Sequence, residues 1–202
     1  MDEFYQNLYS AIAYRWIGHL ENAHTGRCSR KICFCKNQYH GEMSFFDDNI
    51  VDLRIEDCKT KESVFYLHFQ IKNLKMLTEN IQSFFDCLNH QHDESFQTKE
   101  IVVKNNLKIL LTCSTGLTTS YFAYLLDEYF HQAHLNVKVD AVGYHELDSV
   151  QNQYDFIFVA PQISYQYTSL QEKYGSKVFL IDSYDFATGN IQSVLNEIDK
   201  SC

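Results

Sequence analysis

A chain of 202 residues, 45% hydrophobic and 15% aromatic, is long enough for one large domain or two small ones and can bury a core. Its formal charge of −9 speaks against direct binding of nucleic acid or of an anionic membrane surface, which needs clustered Lys and Arg. There is no run of about 18 apolar residues to suggest a transmembrane segment, and the acidic, polar start MDEFYQNLYS is unlike a secretory signal. The seven cysteines, Cys28, Cys33, Cys35, Cys58, Cys87, Cys113 and Cys202, are odd in number and irregularly spaced. They are expected to be reduced thiols of a cytoplasmic protein.

In chain order, Tyr5, Leu8, Ile12, Trp16 and Leu20 recur at helical spacing and predict a helix over about residues 2–23. RKICFCKNQ, NIVDLRIED and SVFYLHFQI follow as predicted strands, the last rich enough in β-favouring residues to be central. LKMLTENIQSFFDCLN returns to helical spacing through Leu74, Leu77, Ile81, Phe84, Phe85 and Leu88. Residues 1–90 therefore read as a small α+β domain. His24, Cys28, Cys33, Cys35 and His40 are of metal-ligating types, but they lack a CxxC knuckle and are expected to be ordinary strand residues, with no metal bound. The polar, unperiodic stretch NHQHDESFQTKE marks a linker, taken as residues 91–104, with His90 and His92 solvated in and beside it.

Residues 105–202 change rhythm. LKILLT, VKVDAV, DFIFVA and KVFLID are strands. Between and after them run a helix from Thr119 to His134, a short helix or turn YHELDSVQNQ, a helix ending SLQEKYG with its glycine at the C-cap, and a closing helix NIQSVLNEID. Alternation of this kind predicts a doubly wound α/β domain, a four-stranded parallel sheet flanked by helices. His131 and His134 fall where a helix offers its last carbonyls. Tyr165 and Tyr167 either line a site or cover the sheet.

Ligands of such sheets sit beyond the C-terminal strand ends, and Cys113 occupies one of them, in LTCSTGLTTS. If a helix opens near Thr119, the preceding backbone N–H groups point back at the sulfur and favour an anion there. They would lower the thiol pKa and cradle a phosphoryl group on the sulfur. Gly116 permits the tight turn, and Ser114, Thr115, Thr118, Thr119 and Ser120 add hydroxyl donors. Cysteine-dependent phosphatases place an arginine six residues after the nucleophile; here that position is Thr119, and no arginine follows Arg54. Nor does a Gly-Lys-Ser/Thr follow, so this P-loop-like cysteine loop is not a Walker loop.

KILLTCSTGLTTS, FIFVAPQISYQ with the chain's single proline, and VFLIDSYDFATGN occur in that order. Together they resemble the IIB components of the bacterial phosphotransferase system (PTS), lactose/cellobiose type, over about residues 106–198. The resemblance implies a phosphocysteine relay without a cofactor. A IIA phosphohistidine donates to Cys113, and the phosphocysteine phosphorylates a sugar held by the membrane IIC component. Backbone amides from Ser114 through Thr115, Gly116 and Leu117 to Thr118 would hold the phosphoryl oxygens, with Thr119 and Ser120 beside them and Pro161 and Gln162 on the rim. Residues 1–90 match nothing in that family. They leave open a second role, a PTS-responsive regulatory module with a regulatory partner in place of IIC.

Overall fold

The computed structural model describes residues 8–25, 30–89, 106–114 and 117–201. The linker at 91–104, His90, His92, Cys28, Thr115, Gly116 and Cys202 fall outside these residues. The chain divides into two compact units, Met1–Glu94 and Ser95–Cys202.

In the first unit, α1 (Leu8–Ile17) precedes a five-stranded antiparallel meander in sequential order: β1 (His24–Thr25), β2 (Lys31–Lys36), β3 (Tyr39–Phe45), β4 (Ile50–Asp57) and β5 (Ser63–Gln70). α2 (Leu74–Asn89) follows. The strands alternate as one-sided sheets do: Ile32 and Phe34, Val51, Leu53 and Ile55, and Phe65, Leu67 and Phe69 are buried, while Cys35, Arg54, Tyr66 and His68 are exposed. Phe84 of α2 is fully buried, edge-on to Phe34, Phe65 and Phe85. Its ring lies so close to Gly41 that a Cβ there would stand 2.6 Å from Cζ. Glycine in β3 is thus a packing requirement.

Three expectations change here. The first helix stops at Ile17, where Gly18 still donates to the Tyr14 carbonyl, and Asn22 turns through φ 63°. Its buried face is Ser10, Ala13 and Ile17, not the Ile12–Trp16 stripe, which is about half exposed; small residues let the helix approach closely. β5 is an edge strand rather than a central one, because its apolar residues need cover on one face only. β3, absent from the sequence reading, lies in the middle of the sheet.

The second unit carries a fully parallel sheet in the order β7-β6-β8-β9, formed by β6 (Leu107–Cys113), β7 (Val137–Gly143), β8 (Phe156–Val159) and β9 (Val178–Leu180). The helices are α3 (Leu117–Gln132), α4 (Leu147–Val150), α5 (Tyr167–Tyr174), α6 (Ser183–Thr188) and α7 (Gln192–Ser201). This is the expected doubly wound α/β architecture. β6 is apolar because both its faces are covered. Leu110 joins Ile157, Val159, Leu147, Ile163, Leu170 and Val178 in one cluster, while Ile109, Leu111 and Cys113 alternate to the other face and are also fully buried. α3 closes on His134 at φ 55°, with Leu135 donating to the Phe130 carbonyl; His134 is thus the left-handed residue of a Schellman-type end. α5 ends at Gly175, as expected, with φ 79°. α6 was not anticipated. Asp182 caps it, accepting from the Tyr184 and Asp185 amides, and Gly189 closes it at φ 72°.

Candidate functional site

The connection from β6 runs to β7 on one side, and the chain then returns to β8 on the other. Cys113, last residue of β6, therefore sits at the switch point where such sheets bind their ligands. Gly143 pairs with Cys113 in the β6–β7 register, and α3 begins at Leu117.

The sulfur is fully buried, and the Thr119 hydroxyl donates to it across 3.3 Å. Thr119 is itself fully buried on the first turn of α3. The position that holds arginine in cysteine phosphatases thus delivers a short neutral donor to the thiol. Ser114 is exposed, as is Ser120 on α3. Leu117 and Thr118 belong to the opening turn of the helix, and Thr115 and Gly116 lie outside the described residues.

On the neighbouring strand end, the Ala160 amide donates to the Thr112 carbonyl at 2.9 Å, tying the Pro161 turn to the strand that carries Cys113. Pro161 and Gln162 open a 3-10 turn and are buried. Tyr165 is exposed. Tyr167 packs partly against the Leu110 cluster and lines a cavity of about 240 Å³ with Phe158, Phe179, Asp182 and Glu197. The Asp185 carboxyl is raised above its ordinary value, first by burial and also by the nearby Asp182, against the Ser193 hydroxyl and the hydrogen bond from Asn190.

His145 was missed by the sequence reading. A Cβ on Gly143 would meet its ring at 2.7 Å, so the imidazole covers the residue that pairs with Cys113. No local motif announces this placement, which depends on strand pairing. Among the other thiols, burial pushes Cys87 up to about 12, which removes it as a nucleophile. Of the residues of metal-ligating type near the N-terminus, the sheet brings Cys33, Cys35 and His40 together, with His24 across from Cys33 on β1.

The family profile for "PTS system, Lactose/Cellobiose specific IIB subunit" matches residues 108–197. The oligo-beta-mannoside-specific EIIB component of the PTS from Bacillus subtilis (strain 168) is 31% identical over 87 residues, covering 41% of this chain and 84% of the relative. Among solved structures, the lactose-specific IIB component domain from Streptococcus pneumoniae is 19% identical, with a TM-score of 0.40, over 46% of this chain and 97% of its own. The cellobiose-specific IIB component from Borrelia burgdorferi is 25% identical, with a TM-score of 0.41, over 48% of this chain and 91% of its own. Among the described residues no helix is long and apolar enough to cross a membrane. Through its second unit, the chain belongs to the lactose/cellobiose-specific IIB family of the phosphotransferase system.

Proposed function

We propose that the second unit is a cytoplasmic phosphocarrier whose nucleophile is Cys113. The thiolate attacks the phosphorus of a phosphohistidine on a IIA partner; the P–N bond breaks, a P–S bond forms, and the departing imidazole nitrogen takes up a proton. In the second step the hydroxyl of a sugar held by a membrane IIC component attacks the same phosphorus. The P–S bond breaks, the sugar hydroxyl loses its proton, and the thiolate is regenerated. The amides and hydroxyls from Ser114 to Ser120 bind the phosphoryl oxygens, and Pro161 and Gln162 form the rim. A cradle of neutral donors suits a carrier, since an intermediate gripped as tightly as the transition state would not be passed on.

The observation that carries this reading is the placement of Cys113 at the switch point with the Thr119 hydroxyl on its sulfur. The test is incubation with phosphoenolpyruvate, enzyme I, HPr and a panel of IIA proteins, followed by intact-mass measurement with Cys113→Ser alongside. One added phosphoryl group, lost in the variant, is expected. A folded protein that gains none with any IIA, or a Cys113→Ser variant that still gains one, overturns the assignment.

The first unit has its own buried core and lies outside the matched region. That favours a second reading, in which phosphorylation of Cys113 is a signal passed to a regulatory partner. The readings separate after the first step: a carrier loses its phosphoryl group to sugar when IIC membranes are added, whereas a signalling module keeps it and changes partner binding.

A further inference from the structure

One face of the first sheet brings together four donors from two adjacent strands. In the β2–β3 register, Cys33 stands opposite Glu42 and Cys35 opposite His40. Residues two apart on a strand, and residues directly opposed across a ladder, share a face. All four side chains therefore leave the sheet on the same side. Ile32, Phe34, Gly41 and Met43, which alternate with them, are buried on the other. Ligand atoms of Cys33, His40 and Glu42 lie within 4.8 Å of one another, and Cys35 Sγ is 3.4 Å from His40 Nδ1.

We propose that Cys33, Cys35, His40 and Glu42 form a binding site for a thiophilic divalent cation, Zn²⁺ in the first instance. Two thiolates, an imidazole and a carboxylate are ligands that zinc takes in tetrahedral sites. Around such an ion the ligand atoms stand about 3.3–3.8 Å apart, as follows from the usual Zn–N, Zn–O and Zn–S lengths. The Cys35–His40 separation already meets this; Cys33, His40 and Glu42 stand within 4.8 Å of one another, and Cys35, outside that group of three, joins it by side-chain rotation. Lys31 and Ser44 both bond Glu42 through Oε1, at 2.7 and 2.9 Å, so neither uses Oε2.

Charge supports the same conclusion. Two thiolates and a carboxylate carry three negative charges; the cation offsets two, and the Lys31 ammonium beside Glu42 offsets the third. Binding releases the two thiol protons to solvent, so affinity rises with pH. The ladder between β2 and β3 and the apolar packing behind it are complete without an ion. The metal is therefore an addition to a folded sheet, unlike the metal of a zinc finger, which creates the fold.

The test is Co²⁺ titration of the full-length, chelator-treated protein, followed by competition with Zn²⁺. Expected is one equivalent of Co²⁺ giving the intense visible bands and thiolate charge-transfer absorption of a tetrahedral site, displaced by Zn²⁺. Cys33→Ser and His40→Ala should each weaken Zn²⁺ binding by at least about 100-fold, with far-UV circular dichroism unchanged. Cys35→Ser, at an exposed position, provides a further variant should either of those fail to fold. Cys58→Ser and Cys113→Ser should leave the titration unaltered. A pale octahedral spectrum, or a tetrahedral one that survives loss of Cys33, Cys35 or His40, overturns the proposal.

Discussion

Thr119 places a buried hydroxyl against the candidate nucleophile. Its hydroxyl donates to the Cys113 sulfur from the first turn of α3, and both residues are fully buried. Thr119→Val keeps the shape and removes the donor. The expected cost in stability is about 1 kcal/mol, whereas phosphoryl transfer to Cys113 near neutral pH should slow, because a thiolate without this donor forms less readily. Stopped-flow quench with mass detection and a denaturant melt measure the two effects separately; equal and small changes in both would mean that the hydroxyl only fills space. Asp185 is the other informative residue. Burial raises its carboxyl above the ordinary value, so the charged form costs stability at neutral pH, and the cost disappears as pH falls through the folded-state pKa. Asp185→Asn keeps an oxygen for Asn190 and removes the charge. It should therefore raise the melting temperature at pH 7, with an advantage that shrinks on acidification. An advantage that grows toward low pH would reverse the sign assigned to burial.

At the scale of elements, Gly41 links β3 to α2. Phe84 is fully buried and edge-on to Phe34, Phe65 and Phe85, so its ring cannot swing clear of a new methyl group. Gly41→Ala should destabilise the protein by about 1–3 kcal/mol, as overpacking does. Phe84→Leu in the same background should recover part of the loss, measured as urea midpoints. The same strand shows where sequence reading ends. YHGEMSF alternates Tyr39, Gly41, Met43 and Phe45 with His40, Glu42 and Ser44, but a glycine in the apolar set and the lack of β-branched residues weaken the signal; its pairing on both sides with β2 and β4 makes it a strand. β6 and β8 were legible because burial on both faces demands short apolar runs, whereas β7 and β9, at the sheet edges, were legible from β-branched and apolar residues between helices. The strand-end position of Cys113 and the turn at Pro161 and Gln162 were legible because strand ends and turn residues carry local signals. His145 and the placing of Glu42 beside Cys33, Cys35 and His40 were not, because they arise from partners brought together by register.

For the whole molecule, a charge of −9 at pH 7 and an isoelectric point near 5.4 predict a solubility minimum close to pH 5.4 and no retention on a heparin column at neutral pH. A turbidity scan across pH and a single column run check both; retention at neutral pH would reveal a basic face that the overall charge conceals. The two units also differ in when they can be completed during synthesis. Every strand of the first sheet pairs with its neighbour in sequence, so that sheet can assemble hairpin by hairpin as the chain emerges from the ribosome. β6 sits between β7 and β8, and β8 begins only at Phe156. The strand that carries Cys113 must wait for more than forty further residues after its own last one before its second ladder can form. In the nascent chain, the thiol that the finished fold encloses is the one left longest with an unpaired strand edge beside it.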